Sequence, residues 1–339
     1  MRWAELAGRR VAVLGFGAEG RAACRAFRSR LPEQALHLFC SGHEAPDARA
    51  LNDARLTIDA APATVDALTA FHVVIKSPGV SPYQPPVAEA IAAGVRFTSG
   101  SAIWFAEHQD ANTVAVTGTK GKSTTTALIA HLLRAGGHRT ALAGNIGLPL
   151  LDLPEDGTVA AHVIELSSFQ TQDFAANPRV ALITNLIEEH LDWHRSGARY
   201  VADKLRILGD RGRTIAVLNA EDATLAALDT RGDVRWFGAT AGWHLDQGQL
   251  CAGSERVLAI ADLPLPGRHN ALNLCGALAA IEAAGLRIDL LLASTPLLIC
   301  RASGCPQPPR GHRRGRKRRC SHPLPPATGK RASRRGRPD

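Results

Sequence analysis

The stretch Val114-Ala-Val-Thr-Gly-Thr-Lys-Gly-Lys-Ser-Thr-Thr-Thr126 constrains this chain more than any other. An apolar strand runs into a glycine-rich turn, and the turn runs into a helix rich in Thr, Ala and Leu. A phosphate-binding loop needs that order. Gly118 and Gly121 let the backbone bend and approach an anion closely. The N–H groups of the turn and opening helix, those of Thr119, Lys120 and Thr124 among them, then point at phosphates. Lys122 can reach the outer phosphates, and the Ser123 hydroxyl can ligate Mg²⁺. The bare alternative is a glycine turn capped by Ser123 with no ligand. Strand, loop, Lys-Ser pair and helix falling in order argue against it. One departure stands out: the usual loop has four residues between its glycines, and here only Thr119 and Lys120 lie between them.

A chain of 339 residues has room for two or three domains of about 100–200 residues each. It holds no apolar run of about 18 residues, so no membrane span or membrane partner is expected. Met1-Arg-Trp-Ala-Glu-Leu6 carries an acid and no hydrophobic signal region, so no export signal is read there. The seven cysteines are scattered and odd in number, which suits a reducing cytoplasm better than a disulfide framework. The net charge of +9 is unevenly spread. Residues 301–339 hold 13 of the 40 Lys and Arg against one acid, Asp339. Residues 1–300 therefore carry 27 basic and 30 acidic groups and are mildly acidic.

The pattern divides the chain into three. Residues 1–110 read as a Rossmann-like α/β domain, with strands at 10–14, 36–39 and 71–75. Gly15-Phe-Gly17-Ala-Glu-Gly20 follows the first strand and opens a helix, the setting of a nucleotide-binding glycine turn. The acidic residue that would hold an NAD ribose is missing after the second strand, where Cys40-Ser41-Gly42 stands. A dinucleotide is therefore disfavoured, and another nucleotide or a purely structural turn remains. Residues 111–295 read as a larger α/β domain with a mostly parallel sheet: a helix over 122–135, strands near 140–143, 159–164, 180–184 and 214–218, short strands over 231–262, and a helix from about 266 to 285. Its polar clusters sit at the carboxyl ends of apolar strands, where open parallel sheets bind ligands. Residues 296–339 carry eight prolines and the run Arg310-Gly-His-Arg-Arg-Gly-Arg-Lys-Arg-Arg319. They read as a disordered basic tail. Such a tail binds nucleic acid non-specifically, but no aromatic interleaves it and no specific nucleic-acid partner is expected. Its Cys and His spacing matches no familiar zinc site.

Taken one at a time, the polar residues are ambiguous. Glu165 ends a buried strand and is either a Mg²⁺ ligand or a solvated acid. His190, beside Glu188, Glu189 and Asp192, is either a second metal ligand or a surface histidine. Lys204 reads as an exposed helix lysine, and Asn270 as part of a helix start.

Together they resemble the Mur ligases of peptidoglycan synthesis, most closely the MurD-type branch. The resemblance is carried by Thr117-Gly-Thr-Lys-Gly-Lys-Ser-Thr-Thr125, Gly144-Asn-Ile-Gly147, Glu165-Leu-Ser-Ser-Phe-Gln170, Asn185-x-x-Glu-x-His190, Tyr200-x-x-x-Lys204-Leu-Arg206, Asn219-Ala-x-Asp222 and Gly267-x-His269-Asn270, in the family's order over residues 10–290. It implies ATP-dependent amide formation: the carboxylate of UDP-N-acetylmuramoyl-L-alanine is activated as an acyl phosphate and then taken by the amine of glutamate. It implies ATP and Mg²⁺ as cofactors and a monomer. Lys122 and the loop residues Gly118 to Thr124 hold the phosphates, with Asn270 at the adenine. Ser123 and Glu165 hold one Mg²⁺, and His190 a second. Lys204 is carbamylated and, with Lys122 and His190, serves the chemistry. Gly15, Phe16, Gly17, Ser77 and Gly79 hold the UDP part, and Asn145 and Ser167 the muramoyl-alanine part. Lys120, Gln170-Thr-Gln-Asp173 and His190-Leu-Asp-Trp-His194 resemble the xanthomonad-type branch, which adds L-glutamate rather than D-glutamate.

The family's third, Rossmann-like domain should begin near Ala293, and the basic tail stands there instead. The expectation is a truncated or frameshifted ligase whose native frame ends around residues 290–296. The alternatives are a nucleotide-binding remnant without ligase activity and a folylpolyglutamate synthase-like ligase. The Glu-Leu-Ser-Ser-Phe-Gln segment and the UDP-type first domain speak against the latter.

Overall fold

The structure, a computed structural model, describes residues 1–289 apart from 156, 211 and 231. The expected basic tail over 296–339, the missing third domain and the boundary near 293 lie outside the described residues.

Two parallel sheets form the frame. The first contains β1 (Val11–Leu14), β2 (Leu36–Phe39), β3 (Leu56–Asp59), β4 (Val73–Lys76) and β5 (Arg96–Thr98), in the order β3-β2-β1-β4-β5. That is the order of a Rossmann half-sheet. The sequence reading finds β1, β2 and β4 but not β3 and β5. β3 is an edge strand that buries none of its residues fully, and β5 has three residues. Neither presents a sustained apolar run.

The second sheet contains β6 (Thr113–Thr117), β7 (Thr140–Gly144), β8 (Ala161–Glu165), β9 (Val180–Ile183), β10 (Ile215–Asn219) and β11 (Val234–Phe237). All pairs are parallel, in the order β11-β10-β9-β6-β8-β7. β6, β8 and β9 are buried almost throughout, as expected of strands covered on both faces. The helices Lys122–Ala135 and Arg268–Ala283 pack on one face through Leu128, Ile129, Leu132, Leu274 and Leu278. The short strands expected over 231–262 resolve into β11 and an antiparallel meander of β12 (Trp243–Asp246), β13 (Gln249–Ala252) and β14 (Glu255–Ala259). Among the described residues, no helix is long and apolar enough to cross a membrane, and Cys24, Cys40, Cys251 and Cys275 are free and buried.

The first glycine turn separates structural glycines from accessible ones. A Cβ on Gly20 would stand 2.0 Å from the Gly15 carbonyl oxygen, so the helix Ala18–Arg30 can approach the turn only with glycine there. A Cβ on Gly17 would meet nothing within 4 Å, and its φ of −67° suits any residue. The fold needs Gly20, whereas only a ligand would need Gly17. Gly20→Ala should lower unfolding free energy by about 2 kcal/mol, as overpacking against backbone does. Gly17→Ala should stay within about 0.5 kcal/mol of wild type. Urea unfolding of the two variants checks this, and equal losses would contradict it.

Candidate active site

The carboxyl ends of β9, β6, β8 and β7 lie side by side, and the polar groups predicted there form one row. β6 ends in the phosphate-type loop. Gly118 has φ +142° and Gly121 φ +84°, both in the region that favours glycine. The space is closed as well: a Cβ on Gly118 would lie 1.9 Å from Thr184 Oγ1, and one on Gly121 2.5 Å from Asn273 Oδ1.

The loop's carbonyls are turned into the protein and held there. Lys204 Nζ donates to Gly118 O at 2.7 Å. Lys122 Nζ donates to Thr119 O at 2.9 Å. Thr184 Oγ1 and Asn185 Nδ2 donate to Lys120 O at 2.7 and 2.9 Å. The Lys120 amide is held by Asn185 Oδ1 at 2.8 Å, and its ammonium pairs with Glu189. The first-turn amides of the Lys122–Ala135 helix have no partner in their own helix and add its positive end to the loop. This is an anion-binding arrangement. Ser123 is exposed and Thr124 half-buried at that helix end.

Glu165 ends β8 next to the loop, in register with Val116 of β6 and Gly144 of β7. It is fully buried. Asn145 Nδ2 donates to its Oε1 at 2.8 Å, and Oε2 is buried without a hydrogen-bond partner. A buried carboxylate oxygen with nothing to accept is costly, and a divalent cation would satisfy it. Glu165 therefore fits the Mg²⁺ role, since Mg²⁺ is held by one or two carboxylates together with substrate phosphates. His190 adjoins Glu189, the partner of Lys120. It is exposed in the left-handed conformation at φ +55°, beside the Phe169 ring at 5.0 Å. No group of three or more His, Cys, Asp or Glu gathers in metal-holding geometry among the described residues.

Lys204 corrects the reading of an exposed helix lysine. The helix Gly197–Leu205 lies over the loop, and Lys204 is 1% exposed. Burial, aided by the Lys122 charge, pushes its amine down to about 7. Burial also lowers Lys122, against the pull of Glu165 and Glu189.

Other predicted residues hold the scaffold. Asn145 and Ser167 flank Glu165, and Ser167 caps a short helix with Gln170. Ser77 Oγ donates to Gly15 O at 3.2 Å and so ties β4 to the first glycine turn. The Phe16 side chain is wholly buried in the first core, with the Arg21 guanidinium over its ring, so only its backbone can meet a ligand. A Cβ on Gly79 would meet nothing within 4 Å. Asn270 Nδ2 donates to Pro266 O at the start of the Arg268–Ala283 helix, whose Asn273 touches the loop. Asn219 and Asp222 brace the turn after β9, donating to Thr184 O and accepting from Leu186 N.

Sequence reasoning missed Tyr83, Ser168 and Asp203, and assigned no role to His194 or Lys76. His194 is fully buried, with Nδ1 2.7 Å from Asp203 Oδ2 and Nε2 3.0 Å from Ser168 Oγ. A histidine and an aspartate nine residues apart carry no periodic signal by themselves.

The Mur ligase middle domain matches residues 116–281. The chain is 52% identical over 296 residues to a UDP-N-acetylmuramoyl-L-alanine--L-glutamate ligase of Xanthomonas euvesicatoria pv. vesicatoria (strain 85-10), covering 84% of this chain and 63% of that protein. It is 40% identical over 298 residues to a protein of the same name from Micromonospora sp. (strain ATCC 39149 / NRRL 15099 / SCC 1413), covering 85% of this chain and 64% of that one. The chain thus spans less than two thirds of these relatives' length. A solved structure from Neisseria meningitides, UDP-N-acetylmuramate:L-alanyl-gamma-D-glutamyl-meso-diaminopimelate ligase, has the same fold. It superposes with a TM-score of 0.57 at 19% identity, over 86% of this chain and 99% of that one.

Between its ordinary value of 10.5 and about 7, the Lys204 amine binds a proton in the unfolded chain and not in the folded one, so it makes stability rise with pH across that window. Lys204→Met removes this contribution. From pH 7 to pH 10, wild type should gain on the order of a few kcal/mol relative to Lys204→Met. Urea unfolding at pH 7, 8.5 and 10 measures it, and parallel curves would show that the amine titrates as an exposed lysine does.

Proposed function

We propose that the chain, which carries the Mur ligase middle domain over residues 116–281, is an ATP-dependent ligase of that family that joins L-glutamate to UDP-N-acetylmuramoyl-L-alanine in peptidoglycan precursor synthesis. The observation that carries the reading is the row formed by the inward-turned loop carbonyls, Lys122, Lys204 and the unpartnered oxygen of Glu165. The half-identical relatives named as L-glutamate ligases support the choice of enantiomer. ATP and the precursor are cytoplasmic metabolites, so the reaction is assigned there.

A carboxylate is a poor electrophile. Transfer of the γ-phosphoryl group to the alanyl carboxylate makes an acyl phosphate with a leaving group. The uncharged amine of glutamate then attacks the acyl carbon, phosphate departs, and the proton lost from nitrogen passes to solvent. Two anions must meet in the first step. The first-turn amides of the Lys122–Ala135 helix and Lys122 offset the charge that gathers there. Glu165 with the Ser123 hydroxyl would hold Mg²⁺, with His190 assigned to a second ion; bound there, Mg²⁺ screens the phosphate oxygens. Asn270 is assigned to the adenine. Residues 15–17, Ser77 and Gly79 are assigned to the UDP part, Asn145 and Ser167 to the muramoyl-alanine part.

Lys204 supports the family's carbamate. Carbamylation needs the neutral amine: its lone pair attacks CO₂, a proton leaves nitrogen, and a carboxylate-like group results. A lysine whose amine is held near 7 by burial offers that form at neutral pH.

A phosphate-release assay with ATP, Mg²⁺ and UDP-N-acetylmuramoyl-L-alanine tests the function, with L- and D-glutamate supplied in parallel. Release is expected with L-glutamate only. Lys122→Ala and Glu165→Ala should each lower it by at least about 100-fold, the scale of losing one preorganised electrostatic contact. Release with D-glutamate alone would reassign the substrate. No release alongside measurable UDP-substrate binding would identify a nucleotide-binding remnant. ¹³C-bicarbonate labelling should give a carbamate resonance in wild type that Lys204→Arg lacks.

A further inference from the structure

Residues 79–84, which follow β4 of the first sheet, are fastened by hydrogen bonds to residues 192–203, which follow β9 of the second sheet. Trp193 Nε1 donates to Gly79 O at 3.1 Å. Ser81 Oγ donates to Trp193 O at 2.9 Å, and Gln84 Nε2 to Asp192 O at 2.8 Å. Tyr83 OH reaches both oxygens of Asp203, at 2.7 and 2.9 Å. Asp203 is 2% exposed, and its Oδ2 also takes His194 Nδ1. Burial holds His194 below its usual value despite Asp203. The neutral ring that results has one assignment consistent with its neighbours: Nδ1–H donates to the carboxylate and Nε2 accepts from Ser168 Oγ.

The residue after Asp203 is Lys204. Neighbours on a helix point about 100° apart, so Asp203 faces the first sheet's loop while Lys204 faces the phosphate-type loop. The same helix reaches that loop twice, through Lys204 Nζ to Gly118 O at 2.7 Å and through Tyr200 OH with Thr119 Oγ1 at 2.7 Å. A shift of this helix that lengthens the Tyr83–Asp203 contact must also move the Lys204 and Tyr200 contacts.

We infer that Tyr83 and Asp203 are positioning residues that couple the loop after β4 to the phosphate loop, so that occupancy of the first strengthens nucleotide binding at the second. This rests on the ligase reading, in which Ser77 and Gly79 meet the UDP part. Because coupling is reciprocal, the nucleotide strengthens binding of the UDP substrate by the same factor. A brace serving stability alone would predict no such link.

The test is titration calorimetry on the full chain with a non-hydrolysable ATP analogue and Mg²⁺, with and without UDP-N-acetylmuramoyl-L-alanine, and the reverse titration. In wild type each ligand should tighten the other by the same factor, at least about fivefold. Tyr83→Phe removes one hydroxyl. It should bring that factor to within about twofold of one, while each ligand alone binds within about threefold of wild type. Asp203→Asn, which keeps the side-chain shape, gives the same reading if Tyr83→Phe does not fold. Wild type that binds neither ligand overturns the ligase reading and this one with it. Wild type that binds both without coupling, or a folded variant that keeps the wild-type factor, overturns the coupling alone.

Discussion

Everything at this site follows from how the carbonyls of the 118–120 turn are held. Its Thr119 and Lys120 amides are also held, by Asn185 O and Oδ1 at 2.9 and 2.8 Å, so the amides left for a ligand are those of the first turn of the Lys122–Ala135 helix. Lys204, Lys122, Thr184 and Asn185 supply the donors that bury the carbonyls. Unmade, these bonds would leave polar groups in the interior at a cost of about 1–3 kcal/mol each. The glycines make the inward turn sterically possible, and the neighbouring strands make it stable.

That geometry concentrates charge in a small volume. Burial disfavours the ammonium forms of Lys122 and Lys204, Lys120 adds to this at Lys122 and Lys122 adds to it at Lys204, and Glu165 and Glu189 partly compensate. Glu165, at the end of the neighbouring strand, keeps one oxygen without a donor. The site is therefore incomplete on the anionic side, at Glu165, and on the cationic side, at the first-turn amides of the Lys122–Ala135 helix. A phosphate accompanied by a divalent cation satisfies both at once. Neither ion alone would do so.

The seam between the first sheet and the Gly197–Leu205 helix has a different character. Trp193, Tyr83 and His194 pack ring against ring, and their polar edges are almost all used. Lys76 is buried there with its ammonium lacking a hydrogen-bond partner, 5.8 Å from the Trp193 ring centre, and Gln172 Oε1 and both carboxylate oxygens of Asp173 are buried without partners as well. Burial holds Lys76 below its usual value, and Asp173 and Asp203 are the acids that pull the other way.

By itself the sequence determined what is local. The strand–turn–helix at 113–135 was legible because glycine spacing and apolar runs act over a few residues. The row of polar groups at Asn145, Glu165 and Asn185 was legible because parallel strands end their apolar runs at the same sheet edge. Only the tertiary structure decided which polar residues are buried. Lys204 reads as an exposed lysine because its burial depends on β6, 87 residues away along the chain at the Thr117 contact. Phe16 enters the site only through the resemblance, and nothing local says that its ring turns into the core. The Tyr83–Asp203–His194 contacts join segments 120 and nine residues apart. No periodicity records such a meeting, since it is set by the packing of one sheet's loop against the other sheet's helix.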